Sequence, residues 1–235
     1  MPSRWVHEHR FPDPAALARA LSGEIQVDLD EAISVRKAAS LVLSGGRTPA
    51  RLFEQLHTEK VDWKKVWITL ADERWVEPVA DASNERMVRE KLLVGSAADA
   101  HFVGLKNPAP TPEAGADWAW RALSRVPRPF DVVVLGMGDD GHTASLFPGS
   151  LALSRALDAS APAGCIAVNA LATPHARVSL NLAALMDARR IVLHIEGESK
   201  WQVYQRARVP GSPAELPVRA VLHQKEVPVD VFWAP

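Results

Sequence analysis

Residues 131–149, DVVVLGMGDDGHTASLFPG, decide how the chain is to be read. An apolar run ends abruptly in glycines and aspartates, and His142 follows where a helix is expected to begin. That order suits a buried strand carrying a titratable imidazole to the edge of a sheet, at the mouth of a site. Thr143, Ala144 and Ser145 read as the first turn of a short helix behind it.

Outward from this stretch, apolar runs alternate with helical periodicity. Asp13-Pro14 supplies an N-cap and first-turn proline for a helix through AALARAL, and a second helical stretch runs from about Val27 to Ala39. LVL (41–43) is a short strand broken by Ser44-Gly45-Gly46, and Thr48-Pro49 opens a helix through ARLFEQL. VWITL (66–70) is the next strand and SNERMVREKLL (83–93) a helix. GLKNPAPTPEAG (104–115) is a surface loop before a helix carrying Trp118 and Trp120. Beyond DVVVL, the stretches CIAVN, RVSL and RRIVLHIEG read as strands, ESKWQVYQRA as a helix and VPVDVFW as the closing strand. Such alternation predicts an α/β fold, a mostly parallel sheet with helices on both faces, in one domain spanning residues 1–235.

Composition agrees. With 235 residues, 47% of them hydrophobic, the chain can bury a full core. Its 27 basic and 28 acidic residues give a net charge of -1, which argues against a nucleic-acid footprint but leaves local basic residues to grip a small anion. Cys165 is the single cysteine, so neither a disulfide framework nor a cysteine zinc site is expected, and its apolar flanks predict an inert thiol. MPSRWVHEHRFPDP lacks a signal pattern and no apolar stretch has membrane-spanning length, so a soluble cytoplasmic protein, a monomer or weak homo-oligomer, is expected.

In parallel sheets, ligands bind beyond the carboxyl ends of the strands. SGGRTP, ADERW, GMGDDGH and GESK all sit at such ends, so they are expected to converge on one rim. In SGGRTP, Gly45 and Gly46 let backbone N–H groups line a concavity, with Ser44, Arg47 and Thr48 adding donors for a phosphate. The plainer alternative is a tight turn with Thr48 as N-cap. No GK[ST] follows, so this is not a nucleotide-triphosphate loop. The GxGxxG spacing of residues 136–141 runs straight into His142, a poor fit to a dinucleotide fingerprint.

Asp72 and Arg74 share a side if strand geometry persists beyond VWITL. Arg74 could then meet a substrate oxygen, or the cluster could be an ion pair bracing the loop. His142 is the candidate general base; Asp139 or Asp140 could orient it. His194 falls inside an apolar strand and reads as packed. Arg177 and Lys200 would complete a phosphate site with SGGRTP. No metal-ligand spacing is present, and no cofactor is called for.

Together, SGGRTP, LADERWV followed by Asn84, LGMGDDGHTASLFPG, RVSL and EGESK resemble the 6-phosphogluconolactonases. The resemblance runs from about residue 40 to the C-terminus, and the earlier residues match in general character only. It implies the Rossmann-like fold shared with aminosugar-phosphate deaminases and ribose-phosphate isomerases. It also implies hydrolysis of a sugar-phosphate lactone, 6-phosphogluconolactone, in the oxidative pentose phosphate pathway. Carried over, His142 takes the family's catalytic base and Arg74 the active-site arginine, with Asp72 beside it. The loop 44–48, Arg177 and Lys200 take the phosphate, and Gly138, Asp140 and Gly141 line the carbonyl end. The oxyanion would be met by Arg74 or by N–H groups of the 136–141 loop. Two other readings compete. A deaminase typically has a DEY-type motif and a glutamate-bearing FNEP-like segment, where this chain has Asp72-Glu73-Arg74 and SLFPG. A sugar-phosphate sensor would need a DNA-binding region that the chain lacks the length for.

Overall fold

The structure, a computed structural model, describes residues 5–169 and 174–235. Strand β1 (Val6–Arg10) leads into helix α1 (Pro14–Arg36), β2 (Ala39–Leu43), α2 (Ala50–Leu56), β3 (Val66–Leu70) and β4 (Asp72–Arg74). Helix α3 (Asn84–Lys91), β5 (His101–Val103), α4 (Pro112–Ala122) and β6 (Phe130–Leu135) follow. Then come α5 (Leu153–Ala156), β7 (Cys165–Val168), β8 (Arg177–Leu180) and α6 (Leu182–Met186). The chain ends through β9 (Ala188–Glu196), α7 (Glu198–Ala207), α8 (Val218–Leu222) and β10 (Val229–Ala234).

Among the described residues, seven strands form one parallel sheet in the order β1-β10-β9-β6-β2-β3-β5. β2 and β6 are buried at every position, so the centre of the sheet is covered on both faces. From β2 the chain steps outward through β3 to β5, then returns to β6 on the other side of β2 and continues to β9 and β10. Strand order thus reverses between β2 and β6, and the crevice beyond such a switch point is where open α/β sheets take ligands.

A second sheet was not foreseen. β4, β8 and β7 form a separate antiparallel sheet, so CIAV and RVSL do not join the main one. The physical reason is chain length: the link from Val168 to Arg177 is shorter than the dozen or so residues that a parallel crossover needs. Ala71 joins the two sheets. Its N–H donates to the Leu43 carbonyl and its carbonyl accepts from the Leu180 N–H, both at 2.8 Å.

Helix α1 is continuous where the sequence reads as two stretches. Its buried stripe of Leu17, Leu21, Ile25, Leu29 and Ala32 passes unbroken through Ser22-Gly23. Ser22 is buried but donates its hydroxyl to Glu59 at 2.7 Å, so it does not interrupt the stripe. Asp13 caps the helix as expected, accepting the Ala16 N–H at 2.7 Å. Helix α2 begins at Ala50 with no side-chain cap, so Thr48 is not its N-cap. Strand β1, VHEHR, is too polar to read as a strand; it is held through its neighbour instead. His9 on β1 lies 2.9 Å from Asp230 on β10, which accepts from Arg190 on β9 at 2.8 Å.

Candidate active site

A cleft of about 300 Å³ opens beyond the ends of β2 and β6. Ser44, Gly45, Gly46, Arg47 and Thr48 line it after β2, Gly138 and His142 after β6, and Lys200 from the first turn of α7. Asp72 and Arg74 reach it from β4, and Arg177 from β8. The clusters expected on one rim do meet, although ADERW arrives through the second sheet, as does Arg177. Asp140 and Gly141 do not line the cleft. Gly141, at φ 76°, packs against Leu216, where a side chain would collide.

The 44–48 loop is tied down on both sides. The Ser44 N–H donates to the Val134 carbonyl at 3.0 Å, which fixes the loop to β6. A Cβ at Gly45 would overlap the Asn84 carboxamide. That carboxamide donates to the Asp72 carbonyl at 2.9 Å, so Asn84 locks the loop against β4. Gly46 has φ 102°, a conformation that suits glycine. Lys200 Nζ lies 3.5 Å from Thr48 Oγ1 and adds an ammonium to the cup. Backbone amides, hydroxyls and a cation in one concavity suit an anion.

The antiparallel register of β4 and β8 sets Arg74 against Arg177 and Asp72 against Ser179. Arg74 Nη1 donates to the Ala82 carbonyl at 2.7 Å. Arg177 Nη1 lies 3.6 Å from Asp72 Oδ2, and its guanidinium stands 5.1 Å from the Phe147 ring. Burial pulls Arg177 below the ordinary arginine value, against the opposing charge of Asp72. Asp72 also accepts from the Ser145 hydroxyl. Glu73 points the other way and is fully buried. It accepts the N–H groups of Arg74, Asn84 and Glu85 at 2.7, 2.8 and 2.8 Å, and the Ser83 hydroxyl at 3.0 Å. Burial pushes its carboxyl up in spite of these bonds. The DER run therefore divides by strand alternation, with two side chains on the cleft and one holding the start of α3.

His142 Nδ1 lies 2.5 Å from Asp140 Oδ1, which also accepts the His142 N–H at 3.1 Å. Of the two candidate aspartates, Asp140 orients the ring, whereas Asp139 accepts from the Ser199 hydroxyl at 3.0 Å. Burial works against the Asp140 carboxylate, but the hydrogen bond and charge of His142 outweigh it and hold the carboxyl below its usual range. A carboxylate can only accept, so Nδ1 carries the proton and Nε2 of the neutral ring keeps a lone pair. The ring tilts over Phe147 with centroids 4.3 Å apart, and a Cβ at Gly138 would collide with it. No helical turn follows. Thr143 donates its hydroxyl to the Gly136 carbonyl at 2.8 Å, Thr143 and Leu146 form an isolated bridge, and Ala144 takes φ 48°. The hydroxyl competes with helix formation by closing the loop on itself.

Several contributors escaped the sequence reading. Ser145 was assigned only to the expected helix, and His194 only to packing. His194 is indeed buried, at 2% exposure, yet it lines the cleft. Strand periodicity does not distinguish a core-facing residue from one on the floor of a site. Among the described residues, Ser44 Oγ, Arg74 Nε, Asn84 Oδ1, Arg177 Nε and His194 Nδ1 are buried polar atoms without a hydrogen-bond partner, and all five residues line this cleft. Buried polar groups are normally paired. Their concentration here describes a surface that a polar ligand would satisfy.

Elsewhere, burial pushes the Cys165 thiol up to about 12, in keeping with an inert residue. Among the described residues, no three His, Cys, Asp or Glu side chains form a group that could hold a metal ion, and no helix is long and apolar enough to cross a membrane.

Fold and cleft together define a Rossmann-like α/β protein with an imidazole and a cup of hydroxyls and cations at the switch point of its sheet. Residues 12–233 match the family of glucosamine-6-phosphate isomerases and 6-phosphogluconolactonase, and the chain belongs to it. The match begins well before the motifs that first pointed there. A 6-phosphogluconolactonase of Rhizobium meliloti is 45% identical over 227 residues, covering 97% of this chain and 98% of the relative. The crystal structure of a 6-phosphogluconolactonase from Shewanella baltica has a TM-score of 0.95 at 50% identity, covering 99% of each chain. A monomeric glucosamine-6-phosphate deaminase has a TM-score of 0.78 at 16% identity over 97% of each chain, a likeness of fold alone.

Proposed function

We propose that the chain, working as one domain, hydrolyses 6-phospho-D-glucono-1,5-lactone to 6-phospho-D-gluconate in the oxidative pentose phosphate pathway, with His142 as general base. The family and the names of its relatives support the reaction. The observation that carries the mechanism is the Asp140–His142 contact of 2.5 Å beside an anion-binding cup. A cytoplasmic site of action fits a phosphorylated substrate that does not cross membranes freely.

Asp140 keeps the proton on Nδ1, so Nε2 draws a proton from water as that water adds to the lactone carbonyl carbon. Charge then develops on the carbonyl oxygen. Arg74 Nε–H, buried and without a partner, is the donor available to it. The N–H groups of Gly138 and Gly141 are committed inside their own loop at 2.9 and 3.0 Å, which favours Arg74 over the backbone. As the intermediate collapses, the bond from carbonyl carbon to ring oxygen breaks and His142 returns its proton to that oxygen. The product acid ionises, so each turnover releases one proton at neutral pH. The 44–48 loop, Lys200 and Arg177 hold the phosphate and set the carbonyl against the water. Asp72 holds Arg177 and is itself held by Ser145. A lactone carbonyl is electrophilic enough for this route to need no metal or cofactor.

The test generates the lactone from glucose 6-phosphate and follows acid release, with spontaneous hydrolysis subtracted. His142→Ala is expected to lose roughly 10²–10⁴-fold in rate. A variant as fast as wild type would remove His142 as the base. Glucosamine 6-phosphate is expected to yield no ammonia, and ammonia release would favour the deaminase reading.

A further inference from the structure

We propose that His194 is a further ligand-contacting residue on the floor of this cleft, its imidazole Nδ1 accepting a hydrogen bond from a hydroxyl of the bound sugar. The inference rests on the sugar-phosphate reading above and adds a contact to the sugar rather than to the phosphate.

Position makes the contact available. His194 stands one residue beyond the Leu135–Leu193 pair of β6 and β9, beside Gly136, and both residues line the cleft. A Cβ at Gly136 would meet nothing within 4 Å, so the neighbouring strand leaves open space next to the imidazole. On its other side the cross-strand partner is Phe232, which offers no donor.

Chemistry decides what fills that space. His194 Nε2 lies 3.2 Å from Glu196 Oε1. A carboxylate only accepts, so Nε2 carries the proton and Nδ1 of the neutral ring is left as a bare acceptor. That nitrogen is buried and has no partner. An acceptor left unpaired in a buried position is unfavourable, and a site that leaves one open is completed by a donor. A phosphate dianion has no proton to give. A sugar hydroxyl has one. His194 thus reads a different part of the ligand from Lys200 and the 44–48 loop, and Glu196 acts through it by fixing the tautomer.

Three variants separate this role from packing. Asparagine can place its Oδ1 near the position of Nδ1, whereas glutamine reaches only toward Nε2 and Glu196; phenylalanine removes both. Binding of 6-phosphogluconate and of inorganic phosphate is measured by calorimetry, with KM for the lactone alongside and circular dichroism to confirm folding. His194→Phe and His194→Gln are expected to weaken 6-phosphogluconate binding about 5–10-fold and leave inorganic phosphate unchanged. His194→Asn is expected to stay within about threefold of wild type. Wild-type affinity in His194→Gln, an Asn variant as weak as the Gln variant, or an equal loss of phosphate affinity would each overturn the proposal. The Asn–Gln comparison stands even if the Phe variant does not fold. A wild-type protein that neither binds 6-phosphogluconate nor turns over the lactone would instead overturn the underlying sugar-phosphate reading.

Discussion

Arg74 and Arg177 are direct cross-strand partners on β4 and β8, with the Asp72 carboxylate 3.6 Å from Arg177. Like charges in this register cost roughly 0.2–1 kcal/mol, which a bound anion would offset. Arg74→Gln is expected to raise the Tm of the ligand-free protein by about 1–3 °C while lowering kcat/KM at least about tenfold. Scanning calorimetry and lactone kinetics check both halves. A fully active, less stable variant would mean that Arg74 only braces the sheet.

Asp140→Asn keeps the size of the side chain but lets either amide atom meet His142 Nδ1, so the tautomer is no longer fixed. The expected result is a fall in kcat of roughly 10²-fold with KM within about threefold. Unchanged kcat would leave Asp140 as a cap of its loop.

Lys200→Ala removes the ammonium that contacts Thr48 in the cleft, where the proposed phosphate would sit. Loss of a charge-assisted hydrogen bond predicts a KM about 10–100-fold higher with kcat little changed. An unaltered KM would remove Lys200 from the phosphate site.

Gly45→Ala drives a methyl group into the Asn84 carboxamide. The overpacking is expected to destabilise by about 1–3 kcal/mol and to misplace the 44–48 loop, lowering activity. The double variant Gly45→Ala/Asn84→Ala should regain part of the lost Tm, because the two sites are in contact. Additive losses in the double variant would show that the close approach is not the cause.

Asp230 ties the edge strand β1 to the main sheet. Burial opposes its charge, but His9 and Arg190 overcome that and hold its carboxyl below the ordinary value of 3.8. A depressed carboxyl contributes stability that is present above its unfolded value and lost as pH falls through the folded one. Wild type should therefore be more stable than Asp230→Asn at neutral pH, and the two should converge below about pH 3.8. Melts from pH 7 to pH 3 check this; a constant gap at acid pH would assign the stability to packing.

The main sheet was legible wherever a strand is buried on both faces. VWITL coincides with β3 and ESKWQVYQRA with α7, residue for residue, because burial patterns of that kind are local. The edge strands β1 and β5 were not seen, since an edge needs less apolar sequence. The turn after His142 was misread as a helix because Thr143 bonds back to a carbonyl rather than to its own helix. Joining Arg74 to Arg177 required a hairpin from a distant part of the chain.

By itself, the sequence determined the α/β class, the delivery of His142 to a strand end, and the residue types available to hold a phosphate. It could do so because apolar periodicity and glycine breaks act over a few residues. Tertiary structure alone decided that Asp140 and not Asp139 meets the His142 imidazole, that Glu73 is a cap while its neighbours face the cleft, and that His194 looks onto a cleft. These depend on which strands pair, in which register, and on what space is left beside each side chain. Those facts arise only when distant segments meet.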